Sequence, residues 1–241
     1  DLVYSLMKYK SRAITLKYLK HGESSIIAKI FTEEKGLQSF IVKGVRAKKT
    51  KKKLGLFQPL QLLNINASHF PKKNLQYINE IGLEHNQIDD KIDMKKKFIF
   101  IFIAEVVSKV LLETEKDKAL FEFIWDLKKT INNLKKISPN FPLIFLISLS
   151  EYLGFSPSKD EVNGEYFNME LGGFANNKQQ LNYYIEKENS LHLRGLLENK
   201  DIDIPYKNRN KILLQLIEYY KLQHHELKNM TSHLIIESLR T

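Results

Sequence analysis

Residues 11–42 read SRAITLKYLKHGESSIIAKIFTEEKGLQSFIV, and the period of this stretch decides the class of fold. Ser11 to Tyr18 alternates, with Ile14, Leu16 and Tyr18 on one face and Ala13, Thr15 and Lys17 on the other, as a strand does. His21-Gly22-Glu23 breaks the run. Ser25 to Phe31 is a second strand, rich in β-branched residues and more buried in character. Glu33-Glu34-Lys35-Gly36 is a turn with glycine near its end, and Leu37 to Val42 is a third strand.

The pattern continues outward. Phe57 to Ile65 alternates, as does Leu75 to Leu83, which makes five short strands separated by turn chemistry. Five strands closing on themselves form an oligonucleotide-binding (OB) barrel, although period alone does not separate it from an SH3-like barrel. From Met94 the period becomes helical. Ile99, Phe102, Ile103, Val106 and Val110 share a stripe, and Phe98 to Ala104 is apolar all round, as in a helix buried on most sides. Leu120, Ile124, Leu127, Ile131 and Leu134 mark a second helix. Ser138-Pro139 reads as the cap and first turn of a third, which runs to about Leu153 before Gly154 stops it. Residues 155–189 read as irregular, a loop or short hairpin. Leu213, Leu216, Ile217 and Tyr220 mark a long helix, and Leu227, Met230 and Leu234 another. The polar stretch Glu84 to Asp93 separates the two periodicities. It divides the chain into a β-rich part, 1–84, and a helical part, 94–241.

The 241 residues carry a net charge of +10, unevenly spread. Residues 1–80 hold 16 Lys/Arg against 5 Asp/Glu, and residues 81–241 hold 22 against 23. The positive excess therefore sits in the first third, where it fits a polyanionic partner; a solubility effect is the plain alternative. There is no cysteine, which excludes disulfides, cysteine nucleophiles and thiolate-built zinc sites. The longest candidate for a membrane span, Phe98 to Ala104, is seven residues long. The opening Asp1-Leu2-Val3-Tyr4 lacks the layout of a signal peptide, and the absence of cysteine fits a cytoplasmic protein.

The sharpest feature is Lys43-Gly44-Val45-Arg46-Ala47-Lys48-Lys49-Thr50-Lys51-Lys52-Lys53, between the third and fourth strands. Seven of its eleven residues are basic, which argues for a mobile, solvated loop. On a barrel rim, Lys43, Arg46, Lys48, Lys49, Lys51, Lys52 and Lys53 would displace counterions from a phosphate backbone, giving affinity without sequence specificity. Arg12, Lys17, Lys72 and Lys73 in and beside the strands add to the same charge. Single-strand binders pair such charge with exposed aromatics. Phe57, Phe70 and Tyr77 are the candidates. Phe57 reads as core, and Tyr77, between Gln76 and Asn79, reads as the better exposed.

Other chemistry is weakly represented. His224-His225-Glu226 with His233 lacks the His-Glu-x-x-His spacing of a zincin. No GxxxxGK[ST] and no GxSxG occurs. Glu33-Glu34 and Asp89-Asp90 read as turn and linker acids, so no catalytic residue and no cofactor or metal is expected. The aromatic-rich helix at 118–134 is followed or edged by Lys128, Lys129, Lys135 and Lys136. These suit an acidic peptide with hydrophobic ends, or simply complement the helix dipole.

Taken in order, Ala13-Ile14-Thr15-Leu16, His21-Gly22-Glu23-Ser24-Ser25, Phe31-Thr32-Glu33-Glu34-Lys35-Gly36-Leu37 and Val42-Lys43-Gly44-Val45-Arg46 resemble the N-terminus of the RecO family of DNA repair and recombination mediators. Gln58-Pro59-Leu60, Phe102-Ile103-Ala104-Glu105-Val106 and Tyr152-Leu153-Gly154-Phe155-x-Pro157 extend the resemblance over most of the chain. It implies an α+β architecture: an N-terminal five-stranded OB-fold barrel followed by a C-terminal all-helical domain. It implies binding of single- and double-stranded DNA, annealing of complementary strands, and help in loading RecA on strands coated with single-strand-binding protein. The partners it implies are RecR and the acidic C-terminal tail of single-strand-binding protein. Many members carry a four-cysteine zinc module in the irregular region. Here 157–177 has no cysteine, and Tyr166, Phe167 and Phe174 are expected to supply a small core instead. The alternatives are a scaffold docking an acidic partner peptide and an RNA-binding factor.

Overall fold

In a computed structural model the chain divides into two compact units, Asp1–Lys135 with Met230–Leu239, and Lys136–Asn229 with Arg240–Thr241. The structure describes residues 7–84, 93–111, 116–158, 164–200, 202–223, 227 and 230–234, with side chains at 48–52 set aside.

Five strands build the first unit: β1 (Met7–His21), β2 (Ser25–Thr32), β3 (Gly36–Val42), β4 (Leu62–His69) and β5 (Gln76–Leu83). They close as β1-β2-β3-β5-β4, with β3 and β5 parallel and every other pair antiparallel. This is the five-stranded OB barrel, and it settles the alternative that period left open. Gly22 and Gly36 turn the chain with φ of 56° and 64°, where a side chain would be strained. Ala13, Ile26, Ala28, Ile30, Phe40, Leu63, Ile65 and Ala67 fill the barrel. β1 is apolar on both faces because one lines the barrel and the other meets helix α1 (Met94–Val110). Hence Ala13, Ile14, Thr15 and Leu16 are all buried, where alternation predicts a half-buried strand.

The fourth strand begins at Leu62, five residues later than Phe57. Lys48–Phe57 forms a 3-10 helix instead of a free loop. The reason is at its end: Leu54, Leu56 and Phe57 pack on the barrel core, and the Thr15 hydroxyl donates to the Leu56 carbonyl at 3.1 Å. Leu60, in the left-handed region at φ 56°, is buried through a turn and not through a strand.

α1 and α2 (Lys118–Asn133) belong to the barrel's unit. Asp93 and Asp117 cap them by accepting from Lys95 N–H and Leu120 N–H. Phe31, pointing outward from β2, meets Phe121 edge-on at 5.3 Å, and Phe121 stacks on Trp125. The chain returns to this unit late. The Glu105 carboxylate on α1 accepts from Thr231 N–H, Ser232 N–H and the Ser232 hydroxyl. Burial pushes Glu105 up, but those bonds and Lys109 outweigh it and hold the carboxyl below its ordinary value. Of the last expected helix, only 232–234 is helical among the described residues.

The second unit contains α3 (Phe141–Tyr152), a three-stranded sheet of β6 (Tyr166–Asn168), β7 (Gly173–Ala175) and β8 (Tyr184–Ile185), then α4 (Lys187–Leu197) and α5 (Tyr206–Leu222). The C-terminal region is thus largely, not wholly, helical. α3 starts two residues beyond Pro139, because the Ser138 hydroxyl accepts from Asn140 N–H and fixes a turn first. Gly154, at φ 83°, ends it as expected. Phe167 packs edge-on to Phe174 at 5.3 Å and to Tyr219 at 5.4 Å, so aromatic packing holds the cysteine-free segment. Tyr166 lies at its edge, against Tyr184.

Candidate nucleic-acid interface

The barrel register creates a surface that the sequence does not announce. Leu19 pairs with Ile27, Ile27 with Ile41, and Ile41 with Tyr77. Ile26, Ala28 and Phe40 point inward, so these four side chains point outward and form one row across β1, β2, β3 and β5. At 4.7–4.9 Å per strand the row is about 14 Å wide. Leu19 is 64% exposed and Tyr77 37%. Exposed leucine and tyrosine aligned on one sheet face make a platform for flat apolar groups.

Cations border the row. On one side Lys17 and Lys29 are direct cross-strand partners. Burial, then repulsion from Lys29 and Lys109, lowers the Lys17 pKa, with Glu105 opposing. Beyond Tyr77, in the β4–β5 connection, Lys73 Nζ lies 4.5 Å above the Phe70 ring and 5.9 Å from that of Tyr77, and the two rings meet edge-on at 5.8 Å. Gln76 is buried and braces this connection, its side-chain carbonyl accepting from Phe70 N–H at 2.7 Å and its amide donating to the Phe70 carbonyl at 3.1 Å. Lys72 is exposed in the same turn.

At the barrel end, Lys43 and Lys53 edge a cavity of about 180 Å³ floored by Val45, Phe57 and Ile78. Arg46 ties this connector to the β1–β2 turn: its backbone N–H donates to Ser24 O at 2.9 Å and its Nη1 to Gly22 O at 3.1 Å. The side chains of Lys48, Lys49, Lys51 and Lys52 lie outside the described residues.

Two candidates are placed differently from expectation. Arg12 is committed within its unit. Its Nε and Nη2 donate to both oxygens of Glu33 at 2.9 and 3.0 Å, Nη2 also meets Glu122, and the guanidinium stacks over Phe121 and Trp125. The hydrogen-bonded Arg12 holds the Glu33 carboxyl below its usual value. Lys128 is not a groove edge at all. It is 3% exposed, with its ammonium 3.5 Å over the Phe100 ring and donating to Asn132 Oδ1. Helix α2 turns this residue toward α1, and the long stem lets the charge find a ring and an amide. Lys129 is half-buried beside Trp125, while Lys135 and Lys136 are exposed.

The sequence alone points to Lys17, Lys43, Arg46, Lys53, Lys72, Lys73 and Tyr77, and does not show Leu19, Ile27, Lys29 and Ile41 on the same face. Their alternation within strands was the available signal, but only register makes them neighbours. Among the described residues no group of His, Asp and Glu is arranged to hold a metal, and no helix is long and apolar enough to cross a membrane.

Comparison with known proteins places most of the chain. The family model described as "Recombination protein O N terminal" matches residues 7–86, and that described as "Recombination protein O C terminal" matches residues 93–232. The DNA repair protein RecO of Azobacteroides pseudotrichonymphae is 31% identical over 229 residues, covering 90% of this chain and 92% of its own. The RecO proteins of Flavobacterium psychrophilum and Flavobacterium johnsoniae are each 32% identical, over 219 and 207 residues, covering 89% and 86% of this chain and 91% and 84% of their own.

Proposed function

Because the chain belongs to the recombination protein O family of non-enzymatic DNA repair mediators, we propose that its barrel binds single- and double-stranded DNA and brings complementary strands together for annealing. One observation carries this reading: the outward row Leu19, Ile27, Ile41 and Tyr77 lies beside the Lys17–Lys29 pair in the part of the chain that holds the positive excess. Bases of a single strand stack on such a row, while ammonium groups meet the phosphates. A duplex hides its bases and engages the cations alone. Lys43, Arg46, Lys48, Lys49, Lys51, Lys52, Lys53, Lys72, Lys73 and Lys17 supply those contacts, and Tyr77 the stacking.

The region from residue 94 onward presents the protein-binding surfaces, for RecR and for the acidic tail of single-strand-binding protein. Lys129, Lys135 and Lys136 suit that tail, and Lys128 does not. With both partners the protein helps load RecA on coated strands, in the cytoplasm at the nucleoid.

The test is charge reversal of Lys48, Lys49, Lys51 and Lys52 to glutamate in the full chain. Each lost phosphate contact takes about 0.7 from the slope of log K against log[salt] on single strands. A flatter slope, weaker binding and slower annealing are expected. Annealing of strands coated with single-strand-binding protein, with and without its acidic tail, checks the partner contact. Unchanged affinity and slope would overturn the assignment of the lysine segment. Preference for RNA over a DNA strand of the same sequence would move the ligand class.

A further inference from the structure

The two strands that close the barrel part early. β3 and β5 pair only at Phe40–Gln76 and Ile41–Tyr77. β3 then ends at Val42, and Gly44, at φ 69°, turns the chain away, while β5 runs on to Leu83. Among the described residues no strand pairs with this edge of β5 beyond Tyr77. The opening that results is the cavity of about 180 Å³ beside Lys43 and Lys53. Val42 and Val45 line it from the β3 end, Leu56 and Phe57 from the 3-10 segment, and Ile78 and Ile81 from β5. A bulge makes the β5 contribution. Ile78 pairs with Ala67 and Glu80 with Asn66, so Asn79 is the extra residue, and Ile78 and Ile81 both reach the cavity. Val42, Leu56, Ile78 and Ile81 are left half-buried. The exposed Asn79 adds a polar group to this apolar lining. One Asn79 N–H donates to the Ser68 hydroxyl at 2.9 Å, which fixes the amide. A primary amide carries a second N–H and carbonyl lone pairs with which to meet a ligand. None of the described lining residues is acidic.

We infer that this cavity receives one unstacked pyrimidine base of a bound single strand, with its flanking phosphates on Lys43 and Lys53. The inference rests on the proposed DNA-binding function and deepens it. An apolar cavity of about 150 Å³ accepts a benzene ring, so this one suits a single six-membered ring and not the fused pair of a purine. Its chemistry is matched in three parts: apolar walls for the faces of the ring, the Asn79 amide for its polar edge, and ammonium groups at the rim for the backbone. Its place is matched as well. Ile41 and Tyr77 are the last pair of the outward stacking row, and the next residue on each strand, Val42 and Ile78, lines the cavity. A strand stacked on Tyr77 therefore brings its following base to the mouth. The bases of a duplex are paired and stacked and do not enter. Pairing with an incoming strand competes with the cavity for the same base edge, so a completed duplex vacates it.

The experiment uses the full chain with Val42→Phe, which fills the cavity, Asn79→Ala, which removes the amide, and the lysine-segment variant described above. Fluorescence anisotropy measures affinity for an oligothymidine strand, an oligodeoxyadenosine strand, an abasic strand of the same length and a duplex. Melting temperatures check that each variant is folded. Val42→Phe is expected to weaken oligothymidine binding about tenfold, as loss of one base contact does. The salt slope is expected to hold, because no cation is removed. Asn79→Ala is expected to weaken the same binding about threefold. On the purine strand the losses are expected to be smaller, and on the abasic strand and the duplex absent. A loss as large on the abasic strand or the duplex would mean a general change in the barrel and overturn the proposal. An equal loss on the purine strand would overturn the pyrimidine assignment. Should Val42→Phe unfold, Asn79→Ala carries the same comparison. A filled variant that binds every strand like wild type, but no longer binds an acidic peptide ending in phenylalanine, would refute the base in favour of a protein partner. If both cavity variants keep full affinity for oligothymidine while the lysine-segment variant loses it, the cavity site is refuted and the function stands. If none of the three alters binding, the function itself fails with it.

Discussion

Replacing Arg12 with glutamine separates a cation that serves the fold from one that serves a ligand. The bidentate bonds to Glu33, at side-chain exposures of 30% and 17%, join charged groups that are only partly screened. Taken at the low end for such exposure, they contribute about 1.5–2 kcal/mol. Glu122 is 36% exposed and adds about 0.2–1 kcal/mol, and stacking on Phe121 and Trp125 about 0.5–1 kcal/mol. The variant is therefore expected to lose about 2–4 kcal/mol, read as a fall of roughly 5–15 °C in melting temperature. The pH dependence follows from Glu33. Arg12 depresses its folded pKa, so the stabilisation is present above about pH 4.3, the unfolded value, and is lost as pH falls through the folded one. In the variant this acid-induced loss shrinks. Urea titrations at pH 7 and on an acid series measure both effects. Oligonucleotide binding, assayed well below the melting transition, is expected to keep its affinity and salt slope. A variant as stable as wild type, with its salt slope lower by about 0.7, would falsify this reasoning and return Arg12 to the phosphate contacts.

Tyr77→Ala removes a partly exposed ring, so it is expected to weaken single-strand binding by about 1–3 kcal/mol with the salt slope unchanged, and to lower stability by about 0.5–1.5 kcal/mol through the lost edge contact with Phe70. A parallel loss on duplex DNA would contradict stacking. Lys128→Glu buries a carboxylate against Phe100 and is expected to cost about 3 kcal/mol or more, whereas Lys128→Met stays within about 1.5 kcal/mol of wild type; urea midpoints distinguish the pair. Glu105→Gln is expected to speed amide exchange at Thr231 and Ser232. In the wild type that protection is present above about pH 4.3 and fades as pH falls through the depressed Glu105 value, which an exchange series in pH reads directly. Gly172→Ala places a methyl 2.6 Å from the Tyr219 hydroxyl at φ 70°, and disturbs the 2.5 Å bond from that hydroxyl to the Phe155 carbonyl. A loss of roughly 2 kcal/mol is expected, confined to the second unit.

The strands up to Val42 are legible because glycine turns and period 2 agree at Gly22 and Gly36. Phe57 misleads as a strand start: its burial comes from a 3-10 helix held on the barrel by Leu54 and Leu56, and apolar spacing is the same in either case. The positive excess is legible too, but the work each cation does is not. Arg12 meets Glu122 across 110 residues, and Lys128 meets a ring on another helix. Long-range partners decide both, and local pattern contains neither. The open row fails to appear for the same reason. Leu19, Ile27, Ile41 and Tyr77 are each ordinary strand residues until register sets them side by side.

The return of residues near 230 to the first unit has a consequence for biosynthesis. The 94 residues of Lys136–Asn229, nearly all of the second unit, separate Lys135 from Met230. At a translation rate of about 5–20 residues per second, the ribosome takes roughly 5–20 s to cross that interval. Throughout it the donors that Glu105 bonds in the finished unit, Thr231 and Ser232, have yet to be made. The barrel can close early, but its unit is completed only after the intervening one has been synthesised, so the order of manufacture and the order of assembly are not the same.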